Sequence, residues 1–208
     1  MARLADAGCV ALMVANTPGA MAPWGGRRAL YGTNPIAFAA PRAGGAPVVV
    51  DLSLSTVARG KVMAAAQKGE PIPPGWALDA EGRPTTDPQA ALKGLMAPMG
   101  EAKGAALALM VELLCGALVG GAFAFEASSF LDAEGPPPEV AQLLIAFDAG
   151  AFGAAAADRV AEMAIAVEAE SGTRLPGARR AALRARGEAE GLSVDPVLRA
   201  EIERLAQA

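Results

Sequence analysis

The chain has 208 residues, of which 53% are hydrophobic and 19% charged, with a net charge of −4 and not one histidine. This is too apolar for a disordered chain, and its interspersed acids and bases make no basic face for nucleic acid. The missing histidine excludes a Ser-His-Asp triad and a His-ligated metal. The length fits one domain, or one domain with an appendage.

The first residues, 1–8, read as the last turns of a helix followed by a glycine stop. They lack a signal-peptide pattern, and a chain that opens inside an element is expected to be cut. Residues 9–16 (CVALMVAN) are a short apolar run ended by turn residues, which predicts a buried strand. Cys9, in that run, and Cys115 have no second Cys or His nearby. They carry no zinc spacing and read as thiols of a reducing cytoplasm. A Pro- and Gly-rich loop covers 17–28. Two strands follow at 36–41 and 46–51, with Gly44-Gly45 as the hairpin turn between them. The second passes abruptly from Val48-Val49-Val50 to Asp51, as a strand does where its end opens into a site.

Residues 57–68 predict a helix stopped by Gly69. A long polar loop with six prolines covers 70–100, a length expected to be functional or to wrap a neighbour. The run 104–125 contains one charge, Glu112. A carboxylate at mid-bilayer costs roughly 2.5–3.5 kcal/mol, and three glycines interrupt the run, so a buried core helix over 103–119 fits better than a membrane span. Strands are expected at 123–125 and 142–148. Beyond Asp148 the texture is helical. Val160, Met163, Ala164 and Val167 form one face of a helix over 154–170. Asp195-Pro196 caps a second helix carrying Val197, Leu198, Ile202 and Leu205. The mixed charges there suit a solvated face.

Four segments carry chemistry, and each alone also has a plain structural reading. No G-x-G-x-x-G follows a strand and no P-loop is present, so a bound dinucleotide would not use a Rossmann turn. Pro98 to Gly104 (PMGEAKG) opens the core helix, where free N–H groups, two glycines and Lys103 suit an anion; a surface lysine beside a glycine turn has the same sequence. Tyr31 to Pro35 (YGTNP) offers Thr33 and Asn34 to a polar ligand or to an Asx-type turn. Asp51 can accept hydrogen bonds from an amide or ribose, or cap a helix. Lys61 could move protons if burial lowered its pKa, or be solvated. Gly75 to Pro88 reads only as an ordered loop.

Together and in order, these stretches resemble one family, the NAD(P)-dependent malate/L-lactate dehydrogenase-like family. The matching stretches are APWGGR (22–27), YGTNPIAFAAP (31–41), VVVDLSLS with ARGK (48–61), GWALDAEGRPTTDP (75–88), PMGEAKGAALALMVELLCGAL (98–118) and RLPGARR (174–180). The family includes ureidoglycolate and sulfolactate dehydrogenases, diketogulonate reductase and cyclic-imine reductases. The texture of Gly121 to Glu126 and of Gln142 to Asp148 resembles most the Δ1-piperideine-2-carboxylate/Δ1-pyrroline-2-carboxylate reductases.

The resemblance implies a mixed α/β, non-Rossmann fold with a largely antiparallel sheet and packed helices. It divides the chain into a cofactor-binding α/β region, 1–148, and a helical region, 149–208. It implies NADPH-dependent reduction of a cyclic imino acid to L-pipecolate or L-proline, with NAD possible in place of NADP. The alternatives are a 2-hydroxy acid dehydrogenase of malate/L-lactate type, acting on a 2-oxo acid, and a non-catalytic dinucleotide-binding homologue. Thr33 matches a substrate contact. Asp51, Leu52, Ser53, Ala102, Lys103 and the loop Arg174, Leu175, Pro176, Gly177, Ala178, Arg179 and Arg180 match cofactor contacts, and Lys61 matches a proton-relay position. A cytoplasmic homodimer in the full-length form is implied, without nucleic acid or membrane. Two departures stand out. Glu101-Ala102 replaces the family's Gly-His or Gly-Tyr-Trp, and the proton-donating His and a neighbouring Arg fall in an N-terminal segment that this chain does not contain. The chain alone is therefore expected to turn over poorly.

Overall fold

A computed structural model describes residues 1–131 and 135–207. Among the described residues, seven strands and seven α-helices form two antiparallel sheets and their packing helices. After the short helix α1 (Ala2–Asp6), Gly8 at φ +89° turns the chain into strand β1 (Cys9–Ala15). Strands β2 (Ile36–Ala40) and β3 (Val48–Leu52) form a hairpin, with Gly44 at φ +69° in its turn. The fourth strand of this sheet is β7 (Gln142–Asp148), and the order is β3-β2-β1-β7. The apolar run of β1 follows from its central place. Both its edges are paired, with Leu12 opposite Phe38 on one side and Ile145 on the other. β7 is one of the two edge strands of this sheet and exposes Leu144, Ile145 and Phe147.

Helix α2 (Arg59–Lys68) ends in a left-handed Gly69, as its sequence predicts, although it starts two residues later than the apolar pattern. The segment 70–100 is not a plain loop. It holds strands β4 (Ala77–Leu78), β5 (Pro84–Thr85) and β6 (Leu95–Met96) in the sheet order β5-β4-β6, with helix α3 (Pro88–Lys93) between β5 and β6 in the chain. Two-residue strands are too short for a period-2 signal, so composition alone reads them as loop. Asp87 caps α3 by accepting from the Gln89 N–H.

The core helix is also not uniform. Helix α4 covers Ala102–Glu112, and the chain then widens into a π-helix over Leu113–Leu118. Its buried face joins Val111 and Cys115 to Val14, Met21, Leu54, Val62 and Met96 in one core. Residues 123–125 are not a strand. The Phe123 and Ala124 amides are taken by the carboxylates of Glu126 and Glu112, which leaves them unavailable to a ladder. The rings of Phe123 and Phe125 stack 5.5 Å apart.

Helix α5 (Ala156–Ala169) is held to the β2–β3 hairpin by the Arg42–Glu168 ion pair at 2.8 Å and the Ala43 N–H to Ala157 O bond at 3.1 Å. Helix α6 (Ala178–Glu190) takes in the end of the RLPGARR stretch and extends well beyond it. Helix α7 (Pro196–Leu205) starts at the Asp195 cap. Its apolar face, with Val197, Leu198, Ile202 and Leu205, is exposed. Among the described residues no helix is long and apolar enough to cross a membrane.

Candidate active site

The end of β3 is the hub of the candidate site. The Leu54 amide donates to Thr33 O at 2.7 Å, and the Met99 amide donates to Leu54 O at 2.8 Å. Residues 51–55 thus lie between the Tyr31–Pro35 turn and the lead-in to α4. Ser55 bridges to Pro98, and the Thr56 amide donates to Ala97 O at 2.8 Å. The hydroxyls of Ser53 and Ser55 are 3.0 Å apart, and Ser55 Oγ donates to Val57 O. Thr33, Ser53 and the start of α4, three separate predictions, therefore belong to one hydrogen-bonded layer.

At the helix start the backbone is unusual. Gly100 and Glu101 have φ of +62° and +58°, and Gly104 packs so closely that an added Cβ would lie 1.8 Å from Met99 O. At Gly100 an added Cβ would meet nothing within 4 Å, so the backbone is open to approach there. Ala102 and Lys103 are exposed. The expected row of free amides is thinner than the sequence suggests. The Lys103 N–H is already bonded to Gly100 O at 3.2 Å, and that of Ala105 to Glu101 O at 3.1 Å. The Lys103 ammonium, rather than its amide, is the group available to an anion.

The C-terminal loop reaches the same strand. Gly177, at φ +81°, sits against β3, and a Cβ there would be 3.1 Å from Val49 O. Arg180 Nη1 lies 2.6 Å from Asp51 Oδ2. Arg174 and Arg179 are exposed and make no ion pair among the described residues. Leu175 is half-buried, while Leu52, Pro176 and Ala178 are exposed. The polar groups here suit a dinucleotide: guanidinium and ammonium donors for phosphates, serine hydroxyls and an accepting carboxylate for ribose or amide.

Lys61 is exposed on the first turn of α2, its ammonium 6.0 Å from the centre of the Trp76 ring. The burial on which its proton-moving role was conditioned is not found there. In the ordered loop, Asp79 accepts from the Arg83 and Glu81 amides and pairs with the Arg83 guanidinium at 2.9 Å. The Arg83 amide first, and then its side chain, hold the Asp79 carboxyl below the usual carboxylate range. Two shallow concavities lie elsewhere, one lined by Gly69–Pro71 and Asp87–Gln89, the other between Gln67 and α7. Neither includes a residue of the hub.

Sequence reasoning missed Glu112 and Asn16, and named Asn34 only as a ligand or turn residue. Glu112 is 3% exposed. Its Oε1 accepts from Asn34 Nδ2 at 2.7 Å and the Gly32 amide at 3.1 Å; its Oε2 accepts from the Ala124 amide at 3.0 Å and Asn16 Nδ2 at 3.4 Å. Asn16 and Asn34 are buried with it. The signal was present as the lone charge in an apolar run, since a buried carboxylate requires donors. Burial, and then the Glu112 charge, raise the Tyr31 phenol above its ordinary value, and burial pushes the Cys115 thiol up.

Residues 1–203 match the family described as malate/L-lactate dehydrogenase. The chain belongs to that family. It is 59% identical over 182 residues to the (2R)-3-sulfolactate dehydrogenase (NADP(+)) of Chromohalobacter salexigens, a match covering 88% of this chain and 55% of the relative. It is 47% identical over 189 residues to Delta(1)-pyrroline-2-carboxylate reductase 2 of Burkholderia multivorans, covering 88% and 54%. The solved delta1-piperideine-2-carboxylate reductase from Pseudomonas syringae pvar. tomato superposes with a TM-score of 0.89 at 41% identity, covering 99% of this chain and 62% of that one. The chain thus spans a little over half the length of the curated relatives it matches. The fold is the non-Rossmann, antiparallel α/β fold that the resemblance implied.

Proposed function

We propose that the chain is the dinucleotide-binding part of an NADPH-dependent reductase acting on a cyclic imino acid, Δ1-piperideine-2-carboxylate or Δ1-pyrroline-2-carboxylate. One observation carries the reading: the hydrogen-bonded layer that joins Thr33, residues 51–55 and the start of α4, with the Arg174–Arg180 loop beside it. In this reading the reduced nicotinamide supplies a hydride to the C=N carbon when bound. Lys103 and the exposed Arg174 and Arg179 hold phosphate, and Asp51, Leu52 and Ser53 line the ribose or amide. Ala102, Leu175, Pro176, Gly177, Ala178 and Arg180 complete the cofactor's surroundings, with the 1–148 region as its principal platform and 149–208 as the helical flank. Thr33 contacts the substrate, and Lys61 is left as the proton-relay position that the resemblance alone implies. The exposed apolar side chains of β7 support a homodimer, and the two free thiols support a cytoplasmic location.

A second reading, a 2-hydroxy acid dehydrogenase using 3-sulfolactate or a similar acid, is favoured by the 59% identity to the sulfolactate enzyme. Calorimetry with NADPH bound separates the two. The first reading expects tighter binding of pyrrole-2-carboxylate, a flat stand-in for the cyclic imine; the second expects tighter binding of 3-sulfopyruvate. NADH in place of NADPH tests the cofactor preference.

A further inference from the structure

We propose that Glu112 is a positioning residue that sets the substrate-contacting turn against the dinucleotide-binding helix. The inference rests on the functional reading above for the role of that turn, and on geometry for the rest. Thr33 is flanked by Gly32 and Asn34, and both neighbours bond to the same carboxylate oxygen, at 3.1 Å and 2.7 Å. Asn34 Nδ2 also donates to Ala108 O, one turn earlier in α4, at 3.0 Å. Its two N–H bonds are thus both spent on the helix, and its Oδ1 is buried without a partner. Asn34 holds a left-handed φ of +40° while it does so. An unsatisfied carbonyl and a strained backbone at one residue are costs, and the clamp to Glu112 and Ala108 offsets them.

Gly32 fits because it has no side chain, since a Cβ would lie 2.2 Å from Thr17 O. Thr33 is then fixed from its other side. Its amide donates to Thr17 Oγ1 at 2.9 Å. The second carboxylate oxygen holds the Ala124 amide and Asn16 Nδ2. Asn16 cannot turn over to escape, because its Nδ2 also donates to Ala122 O at 2.7 Å and its Oδ1 accepts from the Ala141 amide at 2.9 Å. One carboxyl group, met only by neutral donors, thereby joins the end of β1, the turn and the 122–124 segment to the helix that begins at Ala102. Glu112 lies nine residues from Lys103, a helical distance of about 13.5 Å, so it acts on the turn and not on the cofactor directly.

Two variants test this, Glu112→Ala and Asn34→Gly; the latter keeps the left-handed backbone without strain and removes only the clamp. Hydrogen–deuterium exchange needs no ligand. In Glu112→Ala the Gly32 and Ala124 amides should exchange about tenfold or more faster, with α4 amides 106–111 still protected. In Asn34→Gly the affinity for pyrrole-2-carboxylate should fall about tenfold, with NADPH affinity within about twofold of the parent. Unchanged exchange at Gly32 in Glu112→Ala overturns the proposal, as does a parallel loss of both ligands in Asn34→Gly. If Glu112→Ala unfolds, Asn34→Gly decides through Gly32 and Thr33 exchange, which must rise. If the parent chain binds neither ligand, the functional reading fails while the exchange result still decides whether Glu112 positions the turn.

Discussion

Gly104→Ala should destabilise the protein although alanine is the better helix former. The new Cβ would lie 1.8 Å from Met99 O and 2.9 Å from Met99 C, both backbone atoms. Ordinary contact begins at 3.4 Å, so about 1.6 Å of separation must be found. Met99 cannot simply withdraw, because its amide donates to Leu54 O at 2.8 Å within the hub. Overpacking of this kind costs about 1–3 kcal/mol, and a weakened backbone bond adds about 1 kcal/mol. Against this, alanine in a helix gains about 0.8–1.0 kcal/mol over glycine. The net loss is about 1–3 kcal/mol, a fall in Tm of roughly 3–10 °C for a chain of this size. Gly60→Ala in α2 is the control. Its Cβ would meet nothing within 4 Å, so it should raise stability by about 0.5–1 kcal/mol. Thermal denaturation followed by circular dichroism gives both values, and NADPH titration of Gly104→Ala should show weaker binding. A Gly104→Ala protein as stable as Gly60→Ala would refute the close packing on which the helix start is built.

Lys103→Ala should weaken NADPH binding by about tenfold, the lower end for a charge-assisted bond because this lysine is exposed. Lys93→Ala, at the end of α3 and outside the hub, should leave binding unchanged by cofactor fluorescence. The Asp79 carboxyl is held low, so its hold on the 79–83 turn is complete above its ordinary value of about 3.9 and is lost only as pH falls through its lower folded value. Carbon-13 titration of Asp79 should show a midpoint below about 3.9, and a midpoint above it would contradict the bonds from the Arg83 amide and side chain. Cys115 is fully buried with its thiol pKa raised, so an aromatic disulfide reagent should modify Cys9 first and Cys115 only in denaturant. Rapid modification of both thiols in the folded chain would count against the packing around Cys115.

Much of the main sheet was legible because its strands are long enough to show their pattern. Residues 142–148 match β7 in full, and Gly44 marks the β2–β3 turn. Pairing was not legible. β1 meets β7 across more than a hundred residues of chain, and no local signal encodes that register. The π-helix after Glu112 and the strands of the small sheet escaped because each is shorter than the window that reveals periodicity. At the site, Thr33, Asp51 to Ser53 and Lys103 could be named through the family resemblance, and the structure brings their segments together. Lys61 was named on a condition of burial that its exposed position does not meet. Glu112 was read only as an obstacle to a membrane span, because its four donors come from three distant segments that no sequence window contains.

Titration of the 208-residue chain with NADPH, read by cofactor fluorescence, tests the central claim most directly. The account predicts saturable binding that is weakened by Lys103→Ala, and little turnover of cyclic imino acids, since a positioned acid contributes roughly 10²–10⁴-fold and the chain has no histidine. A folded chain that leaves NADPH fluorescence unchanged throughout the titration would contradict it.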